Sequence, residues 1–260
     1  MRIPQNANMH DEMKFHQMLE KMNPNERANF IAFCEDLVLL EAERKKAGIK
    51  RDDEITKALY MIDMNNGFVN FGAMANPKYN ALVPEQLEMI KKFRKEGELV
   101  NFILEGHEKD ALEFKSYPEH CVIGTEEAEL IPEFIEEQEK VNTRTYYKNC
   151  INGMLNGQIQ EDIRKLKNLR EVVIEGVCAD LCVMDFARTY ARYLDEINHE
   201  AKLFVVKNAI DTFDAPGHER DEWIEIACKV MAAAGIEIVE DINHLEQRER
   251  ELGLYLTNGK

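Results

Sequence analysis

From residue 56 onward the chain alternates short apolar runs with segments of helical period, and this alternation constrains the fold more than any other feature. Runs at 58–64, 99–104, 171–177, 203–206 and 236–239 read as strands, with a weaker Tyr- and Thr-rich candidate at 143–148. Helices are predicted over 84–95, part of 155–166, 179–198 and 218–234. Strand–helix alternation implies an α/β domain with a mostly parallel sheet and helices on both faces. Such sheets bind ligands outside the carboxyl ends of their strands, where strand order reverses. Asp63, Glu105, His107, Lys148 and Cys182 all fall at or just beyond predicted strand ends.

Residues 1–55 follow another pattern. A short helix is predicted over 9–22 and a longer one over 25–46, capped by Asn25 and ended by Gly48. The longer helix places Phe30, Phe33, Cys34, Leu37 and Leu40 on one face. That apolar stripe needs a partner, either the main domain or another subunit, so a homo-oligomer is expected. The 260 residues suffice for one large α/β domain with this helical extension. A formal charge of −16 argues against nucleic acid or an anionic membrane as partner. The acidic run at 133–139 reads as a solvated helix face. No stretch approaches the ~20 apolar residues of a membrane span, and the N-terminus lacks an apolar signal core. A cytoplasmic location with six reduced cysteines is therefore expected.

The segment 170–184 carries the sharpest chemical signal. An apolar strand runs through Gly176-Val177 and hands Cys182 to the start of a helix. A helix N-terminus offers free N–H groups and positive potential, so it lowers a thiol pKa and can hold an oxyanion. Cys182 is thus the candidate nucleophile, although a buried structural cysteine is the alternative. Cys178 is either a small residue whose backbone N–H matters or a redox partner of Cys182. Asp63 ends an apolar strand; it could cap a turn, or relay a proton between a thiol and a leaving amine. A positive charge on Lys148 would favour both thiolate and carboxylate. Glu105, His107, Glu113 and His120 form a donor set suited to Zn²⁺, Mn²⁺ or Fe²⁺, although residues 118–121 could be only a turn.

Four ordered motifs resemble the isochorismatase-like cysteine hydrolases: Asp63-Met-Asn-Asn-Gly-Phe68, the segment from Tyr117-Pro-Glu-His-Cys to Leu130, Gly176-Val-Cys-Ala-Asp-Leu-Cys-Val183, and Asp211-Thr-Phe-Asp-Ala-Pro-Gly-His218. The resemblance covers residues 56–240 and, within that superfamily, is greatest to nicotinamidases. It implies a Rossmann-like three-layer fold, a six-stranded parallel sheet sandwiched by helices, in a hydrolase domain of 56–260. It implies a catalytic triad of Asp63, Lys148 and Cys182, and a cis peptide at Val177–Cys178. The backbone N–H groups of Cys178 and Cys182 would face an oxyanion, and Phe68 would pack on the substrate ring. One divalent metal would sit on Glu105, His107, Glu113 and His120. The activity implied is hydrolysis of nicotinamide to nicotinic acid and ammonia through a cysteine thioester, a step of NAD salvage. The alternatives are a sibling hydrolase of a small amide, carbamoyl or ureido substrate, and a non-catalytic small-amide-binding member. Two departures stand out. Glu105 replaces the family's usual Asp, and the customary Trp-His-Pro sequence is missing.

Overall fold

The structure, a computed structural model, describes residues 18–19 and 21–254. The helix predicted over 9–22 lies for the most part outside them. The chain divides into two compact units between Ile49 and Lys50.

The first unit is built on helix α1 (Pro24–Lys46). Its cap is Asn23 rather than the predicted Asn25. The Asn23 side chain accepts from the Glu26 N–H at 2.9 Å, and Glu26 accepts from the Asn23 N–H at 2.9 Å. Pro24 then falls at N1, where its missing N–H removes nothing. Gly48 (φ +70°) ends the helix as expected. No residue of α1 is buried, and Phe33, Leu37 and Leu40 are 58%, 48% and 59% exposed.

The second unit holds six parallel strands: β1 (Lys57–Ile62), β2 (Leu99–Glu105), β3 (Thr143–Lys148), β4 (Glu171–Val177), β5 (Lys202–Asp211) and β6 (Glu237–Val239). Their order is β3-β2-β1-β4-β5-β6. The chain builds outward from β1 to β3, returns to pair β4 with β1, and builds outward the other way. The reversal leaves a crevice past the ends of β1 and β4.

Alternate strand residues face opposite layers. Leu59, Met61, Phe102 and Phe204 pack with α2 (Asn66–Val69), α3 (Val83–Lys95), α4 (Pro132–Gln138) and α8 (Ile242–Glu251). Tyr60, Ile62, Ile103 and Ile174 pack with α5 (Gly157–Lys165), α6 (Met184–Glu196) and α7 (Arg220–Ala233). Each such fully buried side chain contributes about 1.5–3 kcal/mol relative to exposure. Helix α4 overlaps the acidic run and buries only Phe134, so most of it is a solvated face. Helix α8 lacks a predicted counterpart because little of its burial is apolar. It buries Leu245 and Glu249, and Glu249 reaches Lys57 at 2.6 Å and Lys92 at 2.9 Å.

Gly176 fixes the geometry of the crevice. Its φ is +125°, and a Cβ there would lie 2.0 Å from the Ile62 carbonyl oxygen on β1. Only glycine lets the two backbones approach this closely. Gly176→Ala is expected to destabilise the domain by about 3 kcal/mol or more, as read by urea denaturation. A shift within about 0.5 kcal/mol would show that the strands can separate freely.

Candidate active site

The crevice collects one residue from the end of each neighbouring strand. Asp63 follows β1 in the left-handed region (φ +53°), its N–H bonded to the Ile103 carbonyl at 2.8 Å. Aspartate tolerates that conformation better than most residues. Glu105 and Lys148 close β2 and β3 and are register partners. Beyond β4 the Val177–Cys178 peptide is cis. A single π turn follows (Ala179–Val183), in place of the regular helix predicted from 179. The Leu181 and Val183 N–H groups both bond to the Cys178 carbonyl, at 3.2 and 3.1 Å. This wide turn carries Cys182 into the crevice ahead of α6.

Lys148 is the hub. Its Nζ lies 2.9 Å from Asp63 Oδ2, 2.8 Å from Glu105 Oε2 and 3.6 Å from Cys182 Sγ. All four side chains are buried. Burial opposes a charge on Lys148, but Asp63, Cys182 and Glu105 outweigh it and hold the ammonium well above its ordinary range. Burial also opposes ionisation of Glu105, yet Lys148 and His107 bring its pKa down to about 2. Asp63 differs: burial pushes it up to about 7 against the pull of Lys148, and Glu105 adds to the rise. Burial likewise pushes the Cys182 thiol well above its usual value, and Asp63 and Glu105 work against the help from Lys148. The expected lowering of the thiol pKa is therefore corrected. Desolvation and two carboxylates oppose the thiolate more than Lys148 favours it, and the sulfur sits beside a base poised near neutrality.

Glu105 also faces a second cluster. Glu105, His107, Glu113 and His120 offer donor atoms all within 4.8 Å of one another. The tautomers follow from the outer partners. His107 Nδ1 faces Asn149 Oδ1 at 3.1 Å, and that oxygen also accepts from the Glu108 N–H. His120 Nδ1 faces the Pro118 carbonyl at 2.7 Å. Both Nδ1 atoms therefore donate, and both Nε2 atoms present lone pairs, 3.3 Å apart. Glu105 Oε1 lies 3.1 Å from His107 Nε2 and has no hydrogen-bond partner of its own. Glu113 keeps one oxygen available while the other accepts from the Ile151 N–H at 3.2 Å. Electron pairs converging without protons between them fit a divalent cation with N and O ligands. Burial works against a charged His107, but Glu105 raises its pKa overall, so a proton competes with a metal ion for that lone pair.

The sequence model of the isochorismatase domain matches residues 57–240, which include every residue of both clusters. The chain belongs to the isochorismatase family. Over 228 residues it is 28% identical to Nicotinamidase 1 of Arabidopsis thaliana, covering 82% of this chain and 85% of the relative. A solved pyrazinamidase of Pyrococcus horikoshii, in complex with zinc, superposes with a TM-score of 0.56 at 25% identity, covering 71% of this chain and 98% of the other. N-carbamoylsarcosine amidase of Thermoplasma acidophilum superposes with a TM-score of 0.55 at 22% identity, covering 72% and 96%; at that identity the likeness speaks for the fold alone.

In this family member the two clusters open into one pocket of about 470 Å³. Phe68 lines it, edge-on to His120 with ring centroids 5.4 Å apart. Cys178 also lines the pocket, and its Sγ lies 3.5 Å from the Tyr79 hydroxyl. Tyr79, Tyr117 and Phe213 are wall residues that sequence reasoning missed. So are two supports. The Asn65 side chain bonds to both the carbonyl and the N–H of Glu105, at 3.0 and 3.1 Å. Asn149 sets the His107 tautomer. Asn65 lies inside the Asp63–Phe68 motif, and the only sequence signal for Asn149 is its adjacency to Lys148.

Proposed function

We propose that this chain is a nicotinamidase, hydrolysing nicotinamide to nicotinic acid and ammonia through a thioester on Cys182. The observation that carries the reading is the junction at Glu105, which joins a buried Asp63–Lys148–Cys182 cluster to a donor set fit for a divalent metal, both facing one aromatic pocket. The Arabidopsis relative supports the substrate class.

As the Cys182 sulfur attacks the carboxamide carbon, Asp63 takes the thiol proton. The N–H groups of Cys178 and Cys182 receive the developing oxyanion; losing one such donor typically costs ~10²–10³ in rate. Lys148 keeps its charge and holds Asp63 in place. Asp63 then passes the proton to the departing nitrogen, the C–N bond breaks and ammonia leaves. Asp63 next takes a proton from water, whose oxygen attacks the nicotinoyl thioester. The C–S bond breaks, the proton returns to sulfur, and nicotinic acid is released. A divalent ion bound by Glu105, His107, Glu113 and His120 would supply Lewis-acid attraction for the pyridine nitrogen. Phe68 would pack on the ring.

Ammonia release from nicotinamide, measured before and after chelation, tests the assignment. Turnover that falls at least about tenfold on chelation and returns with Zn²⁺ or Mn²⁺ is expected. Folded, metal-replete protein that ignores nicotinamide but cleaves a ureido or carbamoyl compound would point to a sibling hydrolase.

A further inference from the structure

The motif at 211–218 lines the pocket yet takes no part in the chemistry above. Phe213 and Asp214 form one wall of the pocket. His218 is stacked between Phe213 and Trp223, with ring centroids at 3.9 and 4.5 Å and planes within 7° and 12° of parallel. Its Nδ1 faces the Phe213 carbonyl at 3.1 Å, and its Nε2 faces Asp180 Oδ2 at 2.9 Å. The other Asp180 oxygen accepts from the Thr212 hydroxyl. A carbonyl and a carboxylate only accept, so each ring nitrogen faces an acceptor and the ring is held from both sides. Two parallel aromatic faces fix the plane of the ring between them. Asp180 lies in the turn that carries Cys182. One ring therefore joins the pocket wall, the nucleophile turn and α7.

We propose that His218 is a positioning residue: stacked between Phe213 and Trp223 and bonded to Asp180, it clamps the Phe213–Asp214 wall to the Cys182 turn, and its removal loosens the wall and weakens substrate binding. The proposal rests on this pocket being the active site. Asp180 is the charged group that His218 meets directly. Around it, Asp214 and Glu219 flank its own segment. On α7, Arg220 is engaged by Asp221 and by Asp211 of β5, each at 2.5 Å.

Trp223 is the only tryptophan in the chain, so its emission reports on this stack. His218→Gln is expected to change that emission with circular dichroism unchanged, and to raise KM roughly tenfold with kcat changed about twofold at most. An unaltered KM in folded His218→Gln would overturn the proposal. Should that variant fail to fold, Asp180→Asn, which keeps the shape of the acceptor but weakens its bond to His218, is expected to raise KM in the same way, and an unaltered KM there would overturn the proposal. Failure of the nicotinamide reading would look different, with the emission change intact and no ammonia formed.

Discussion

Cys182→Ala is expected to reduce amide turnover by roughly 10⁴-fold or more while leaving the fold intact. The sulfur is the one nucleophile held beside both a proton acceptor and a lysine cation among the described residues that line the pocket. Removing one buried sulfur leaves only a small void, worth about 1 kcal/mol of stability. Ammonia release together with a thermal melt separates the two effects. A variant that melts near the wild type but retains more than a few per cent of the activity would remove Cys182 from the chemistry. Cys182→Ser is informative beside it, because it keeps the shape and donor capacity of the thiol but loses the better nucleophile and leaving group.

Asp63→Asn should lower kcat roughly 10²–10⁴-fold, the range for loss of a general base. In the wild type, Asp63 must be ionised to accept the thiol proton, and burial pushes its pKa up to about 7. The profile of kcat/KM should therefore fall about tenfold per pH unit below that value and level off above it. Stability should respond in the opposite direction. Because the folded pKa is raised above the ordinary carboxyl value of 3.8, the native state binds this proton more tightly than the unfolded chain. The contribution of Asp63 to stability is complete below the unfolded value and is lost as pH rises to about 7. Asparagine does not titrate, so Asp63→Asn should melt at or above the wild-type temperature at pH values over 7 while being nearly inactive. A lower melting temperature there, with an activity loss that merely tracks unfolding, would assign Asp63 a structural role.

The strands and the chemistry at their ends were legible because parallel strands are continuous apolar runs and polar residues stop them abruptly. Asp63, Glu105 and Lys148 stand out on those grounds, and Cys182 by the Gly-Val turn before it. The helix that docks through Glu249 on Lys57 and Lys92 was hidden, since apolar periodicity carries no trace of a buried ion cluster. The thiol pKa was misjudged for a related reason. Its sign depends on a sum of burial, one cation and two anions that only the folded geometry supplies. Glu105 is a mixed case. Its donor character was readable, but its second contact, to Lys148 across the β2–β3 register, depends on the sheet. The Phe213–His218–Trp223 stack joins a loop to α7, and neither segment alone announces it.

The central claim is a covalent nicotinoyl thioester on Cys182, and acid-quench mass spectrometry during turnover of nicotinamide tests it most directly. The mechanism predicts a nicotinoyl adduct on the peptide containing Cys182, formed as ammonia appears and missing from Cys182→Ala. Ammonia released at the full rate with the adduct on another residue, or from Cys182→Ala itself, would contradict it.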